Sequence, residues 1–209
     1  MNKLQKKKNV AIFISGNGSN MMALINDMKN GKEHPGQPKL VVSDNMDADG
    51  LIFAKENSIK TFSLNVKENE DKAIFEDKTF KVLRENNIDI ICLAGFMKIL
   101  SEKFITAFSK PILNIHPSLL PSFRGLNTHK RALESGCLIH GATIHLVTKQ
   151  LDAGPFLGQV VIKVPEKCTP KKLAALLLPQ EHLLYTKVLR EFLKGSGKRI
   201  LEASFSSEL

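Results

Sequence analysis

Val10-Ala11-Ile12-Phe13-Ile14 runs straight into Ser15-Gly16-Asn17-Gly18-Ser19-Asn20, and the reading of that junction decides the fold. Five consecutive apolar residues bounded by a turn predict a short buried strand. The two glycines mark the turn, and the segment over 20–32 places Met21, Leu24, Ile25 and Met28 on one helical face. Strand, tight turn and helix form the opening unit of an α/β fold.

The alternation continues outward from there. Further strands are expected over 40–43, 61–64, 88–93 and 112–115, with helices over 48–56, 69–86 and 101–108. This rhythm predicts a Rossmann-like, mostly parallel twisted sheet with helices on both faces. The second half changes character: 139–147 and 156–164 alternate apolar and polar residues across a turn-rich segment, 148–155, which predicts antiparallel additions to the sheet. Thr169-Pro170 opens a long C-terminal helix, with Thr169 as its N-cap and Pro170 at its first position. Pro179 should kink that helix, because an interior proline removes one hydrogen bond and crowds the preceding turn. The whole chain, 1–209, reads as one catalytic-sized domain with a basic N-terminal extension over 1–8 and a loose tail over 195–209.

Composition narrows the class. Apolar residues make up 43% of the chain, which suits a globular protein rather than a disordered one. Three cysteines, Cys92, Cys137 and Cys168, have no paired spacing and support neither a disulfide framework nor a zinc site. The basic start imitates a signal peptide, but the apolar run after it is too short, and no segment approaches a membrane span. A cytoplasmic protein is expected. The net charge of +9 raises a nucleic-acid-binding alternative, yet the lysines are dispersed, and one tyrosine with no tryptophan offers no stacking platform. Solubility, or an anionic small molecule, accounts for the charge as well.

Two places carry chemistry. Gly16-Asn17-Gly18-Ser19-Asn20 lies between a strand and a helix, where backbone N–H groups and the helix N-terminus favour an anion. It lacks the third glycine of a dinucleotide fingerprint, Met21 standing there, and it is not a Walker loop. A tight turn capped by Ser19 or Asn20 explains it equally well. The second place is Asn114-Ile115-His116-Pro117, where an amide and an imidazole share one strand face and Pro117 sends the chain into a loop. Such strand ends are where open α/β sheets bind ligands. A lone histidine is more often structural, but Asp152, on the loop Leu151-Asp152-Ala153-Gly154-Pro155, is placed to reach this end. A carboxylate beside an imidazole favours the cation, and amide plus imidazolium suit an oxyanion. Ser118 follows closely, but no G-x-S-x-G elbow supports serine chemistry. No metal-ligand spacing joins His116 and Asp152 with His140 and His145, and His129, His140, His145 and His182 read as structural or peripheral.

The chain resembles the phosphoribosylglycinamide formyltransferase family, the folate-dependent enzymes of purine biosynthesis. The likeness rests on residues 14–20, 93–100, 114–121, 140–145, 151–155 and 180–182, in family order over about 9–193. It implies transfer of the formyl group of N10-formyltetrahydrofolate, the co-substrate, to the amine of 5-phosphoribosylglycinamide, without a metal. Asn114, His116 and Asp152 match the family's catalytic trio, with Asp152 raising the pKa of His116. Gly18, Ser19 and Asn20 match its phosphate-binding turn, and Gln180 and Glu181 the region that contacts the glycinamide. Met97, Lys98, Ile99 and Leu100, with Asn114, match the folate pocket. Lys72 stands where many members carry an arginine, keeping the charge but losing the bidentate fork. Asn127 replaces a histidine common among relatives. Two related activities share the Asn-x-His and Asp core. Formyltetrahydrofolate hydrolase is the nearer alternative, since a tRNA-directed formyltransferase needs a further domain. The partners implied are small molecules, not nucleic acid or membrane, and both monomer and homodimer stay open.

Overall fold

The computed structural model describes residues 6–31, 33–66 and 69–204, excepting the side chains of 69–71. The chain divides into two compact units, Met1–Leu113 and Asn114–Leu209.

In the first unit, β1 (Lys8–Ile14), β2 (Gly36–Ser43), β3 (Lys60–Ser63) and β4 (Ile90–Leu93) lie in the order β3-β2-β1-β4, each neighbouring pair parallel. Parallel neighbours need a crossover, supplied here by α1 (Ser19–Asn30), α2 (Gly50–Glu56) and α3 (Asn69–Glu85), with α4 (Glu102–Phe108) following β4. Val10 to Ile14 are all fully buried, so both faces of β1 are covered, as its unbroken apolar run predicts. Phe13, Phe75, Phe96 and Phe104 pack edge-to-face or stacked beside it, with centroids 5.4 Å apart for Phe13–Phe96 and 6.1 Å for Phe75–Phe96. Ser101 caps α4 by accepting from Phe104 N–H at 3.0 Å, and buried Glu76 in turn accepts from Ser101 N–H at 2.7 Å.

β5 (Ile112–His116) crosses from one unit to the other. The second unit continues with α5 (Thr128–Glu134), β6 (Ile139–Leu146), β7 (Phe156–Lys163), α6 (Pro170–Leu193) and β8 (Ile200–Ser204), in strand order β5-β6-β7-β8. β6 and β7 pair antiparallel, as their alternation predicts, while β7 and β8 are parallel. The strands thus form a mixed, mostly parallel arrangement with its antiparallel addition in the C-terminal half. Gly141 has a local reason: a Cβ there would stand 1.9 Å from Val160 O on the neighbouring strand.

Several expectations change. The expected loose tail contains a strand from Ile200: β8 pairs with β7, and Lys187 of α6 bonds Glu202 at 2.7 Å. Residues 205–209, like the first five of the basic extension, lie outside the described residues. α5 was not expected, since 128–134 is short and carries charge on several sides. α6 runs through Pro179 as one helix, with Thr169 capping it by accepting from Lys172 N–H at 3.2 Å. β2 begins four residues earlier than expected, at Gly36, while other boundaries differ by one or two residues, and Lys32 is not described.

Candidate active site

β5 delivers Asn114, half-buried, and His116, buried, two residues apart on one strand face. Beyond Pro117 the chain is pinned to the sheet. Thr143 Oγ1 donates to Ser118 O at 2.7 Å and accepts from Leu120 N–H at 3.0 Å, and Gln159 Nε2 donates to Leu120 O at 3.0 Å. Ser118, fully buried, donates its Oγ–H to Ser122 O at 2.6 Å. The loop then turns through three left-handed residues, Phe123, Gly125 and Asn127. That path brings Phe123 O to 3.0 Å from His116 Nε2.

On its other side, His116 Nδ1 lies 3.5 Å from Asp152 Oδ2. Both ring nitrogens face acceptors, an arrangement that accommodates two ring protons. Asp152 is buried and left-handed (φ 48°), and its Oδ2 also accepts from Gly125 N–H at 2.9 Å. Gly154 lets this loop close on β6: a Cβ there would lie 1.8 Å from Leu146 O, while Leu146 N–H donates to Pro155 O at 3.0 Å.

The side chain that sequence reading set aside is His145. Its Nε2 is 3.2 Å from Asn114 Nδ2 and 3.7 Å from Asp152 Oδ1, and its Nδ1 is 2.9 Å from Leu146 O. It links the amide of the trio to the carboxylate. Burial lowers its pKa; the Leu146 carbonyl and Asp152 favour the cation, and His116 opposes it. The signal available in the sequence was its position, last but one on an alternating strand that ends at the Asp152 loop. His129 and His140 form a separate pair, Nδ1 to Nε2 at 3.0 Å. Burial pushes His140 down to about 4, with repulsion from His129 and His116 added, against the Pro117 carbonyl.

The remaining expected positions are described unit by unit. In the first, Gly18 is left-handed (φ 71°) and is itself the N-cap of α1, so neither Ser19 nor Asn20 occupies the N-cap position. The amides of the first turn thus lie ahead of the helical ladder, whose first bond runs from Met22 N–H to Gly18 O at 2.8 Å. Met97 and Ile99 are 65% and 62% exposed, unusual for large apolar side chains, whereas Leu100 is buried. Met97 N–H is anchored to Ser15 Oγ at 2.8 Å. Lys98 is exposed, and Lys72, on α3, is half-buried. In the second unit, α6 carries Gln180 half-buried and Glu181 buried. Among the described residues no group of three or more His, Cys, Asp or Glu side chains is arranged to hold a metal, and no helix is long and apolar enough to cross a membrane.

Known proteins share this framework. The chain is 37% identical over 190 residues to phosphoribosylglycinamide formyltransferase of Escherichia coli, covering 91% of this chain and 89% of that protein. It is 38% identical over 192 residues to the human trifunctional purine biosynthetic protein adenosine-3, where the match takes 92% of this chain but spans just 19% of the relative's length. The crystal structure of phosphoribosylglycinamide formyltransferase from Brucella melitensis superposes with a TM-score of 0.84 at 44% identity, over 90% of this chain and 96% of that one. The family model described as formyl transferase matches residues 8–189, which takes in β1 through most of α6 and every position of the Asn114, His116, Asp152 group. The chain belongs to the formyl transferase family.

Proposed function

We propose that this protein transfers the formyl group of N10-formyltetrahydrofolate to the amine of 5-phosphoribosylglycinamide, a step of purine biosynthesis, in the cytoplasm. The observation that carries the reading is the His116–Asp152 contact at 3.5 Å, linked through His145 to Asn114 within one compact unit. The likeness to the Escherichia coli and Brucella melitensis enzymes supports the choice of donor and acceptor.

The acceptor amine attacks the formyl carbon, forming the new C–N bond and a tetrahedral oxyanion. Asn114 donates to that oxygen through Nδ2, and His116 through Nε2–H, which it shares with Phe123 O, while Asp152 stands opposite Nδ1. Collapse breaks the bond to the folate nitrogen, and the amine's proton passes to that nitrogen through a water. The turn at Gly18, Ser19 and Asn20 suits the acceptor's phosphate, because it stands at the α1 N-terminus, which carries no acidic residue in its first turn. Gln180 and Glu181 contact the glycinamide. Exposed Met97 and Ile99, with Lys98 and Leu100, line the folate, and Lys72 meets its carboxylates as a point charge.

An absorbance assay of folate deformylation, run with and without 5-phosphoribosylglycinamide, tests the reading. Acceptor-dependent turnover is expected, and equal turnover without acceptor would assign a hydrolase instead. In the same assay Asn114→Ala and His116→Ala should each lose roughly 10²–10³ in kcat, the scale of one oxyanion donor.

A further inference from the structure

His145, last but one on β6, has both ring nitrogens engaged, Nδ1 at 2.9 Å from Leu146 O and Nε2 at 3.2 Å from Asn114 Nδ2, with Asp152 Oδ1 farther off at 3.7 Å from Nε2. A carbonyl oxygen accepts and never donates, so Nδ1 carries a proton in either charge state. An amide nitrogen donates and does not accept. A bond from Asn114 Nδ2 therefore needs a bare Nε2, and the ring must be neutral. Burial of the ring works in that direction. Were the Asn114 amide turned over, Oδ1 would face the Nε2 lone pair, and two acceptors would be left opposed in a buried place. The ring thus discriminates between the two ends of the amide.

We propose that His145, as the Nδ1–H tautomer, is a positioning residue that locks the Asn114 amide nitrogen-forward. The second N–H on Nδ2 is then kept for the formyl oxygen, and Oδ1 is kept from facing an oxyanion it would repel. Leu146 O sets the tautomer, so the β6 terminus and the Asp152 loop, which approach each other at Leu146 and Gly154, together set the orientation of an amide on β5. This rests on the reading of Asn114 as an oxyanion donor.

The test compares two replacements. His145→Asn keeps a donor near Nδ1 for Leu146 O and offers nothing to Asn114. His145→Gln reaches the place of Nε2 with an amide oxygen that accepts. His145→Asn should lose roughly 10²-fold in kcat with both KM values unchanged, the pattern of a lost transition-state contact, and His145→Gln should restore most of that loss. Combined with Asn114→Ala, His145→Asn should cost nothing further, since one residue acts through the other. Independently of activity, histidine ¹⁵N NMR of the wild type near neutral pH should show a neutral ring protonated at Nδ1. Losses that multiply in the double variant, equal losses in His145→Asn and His145→Gln, or a ring protonated at Nε2 would overturn the positioning role. Wild-type turnover by Asn114→Ala would instead sink the oxyanion-donor reading itself and this proposal with it, whatever the tautomer.

Discussion

Asp152 holds a left-handed backbone (φ 48°) while its carboxylate accepts from Gly125 N–H and faces the rings of His116 and His145. Asparagine tolerates that backbone and can still accept from Gly125, so Asp152→Asn isolates the charge. It should leave the thermal midpoint nearly unchanged while lowering kcat by roughly two orders of magnitude, and a comparable fall in midpoint would mean the carboxylate is structural. Gly154→Ala probes the loop's fit instead. The new methyl would meet Leu146 O, whose carbonyl also receives His145 Nδ1–H, so stability and turnover should drop together, stability by about 1–3 kcal/mol. Thermal melts and kcat on the same preparation check the coupling. Asn114, His116 and Asp152 were readable in sequence because a strand puts alternate residues on one face and a glycine-proline loop needs a reason for its acid. His145 was not, because its meaning is a tertiary pairing: nothing within 140–145 says what Nε2 will meet.

At the scale of elements, α6 shows how a local rule is overridden. Pro179 cannot donate to Ala175 O, yet the helix continues through it from Pro170 to Leu193. Both residues are exposed, so the orphaned carbonyl is open to solvent rather than sealed in the core, while Leu173, Leu177, Leu184 and Tyr185 on the inner face hold the helix by burial. Restoring the missing bond should then stabilise the protein. Pro179→Ala is expected to raise stability by about 1–3 kcal/mol, at roughly 2–4 °C in Tm per kcal/mol for a chain of this size, and an unchanged or lower Tm would mean the proline fits better than its exposure suggests. β8 fails in the opposite sense. Five residues after two left-handed glycines, Gly195 and Gly197, are too few to announce a strand, and their pairing with β7 is a contact distant in sequence. β1 and β4 of the first unit, by contrast, were visible directly, because burial on both faces leaves an uninterrupted apolar run.

For the molecule as a whole, composition and rhythm conveyed the class of fold but not its response to acid, which depends on which rings become buried. His129, His140, His145 and His182 all have lowered pKa values, with burial the leading cause for each. The direction of linkage follows from where the protons go. Below about 6.5 an unfolded chain protonates these rings, whereas the folded chain keeps His140 neutral until about 4, so the unfolded state binds more protons across that window. Stability is then full above about 6.5 and is lost progressively as pH falls toward 4. His140→Gln keeps an acceptor for His129 but cannot take up a proton, so its contribution to the slope vanishes. Thermal midpoints measured from pH 7 down to pH 4 should fall less steeply in the variant than in the wild type. Equal slopes would show that His140 is already charged in the folded protein, which its neighbours His129 and His116 make electrostatically costly.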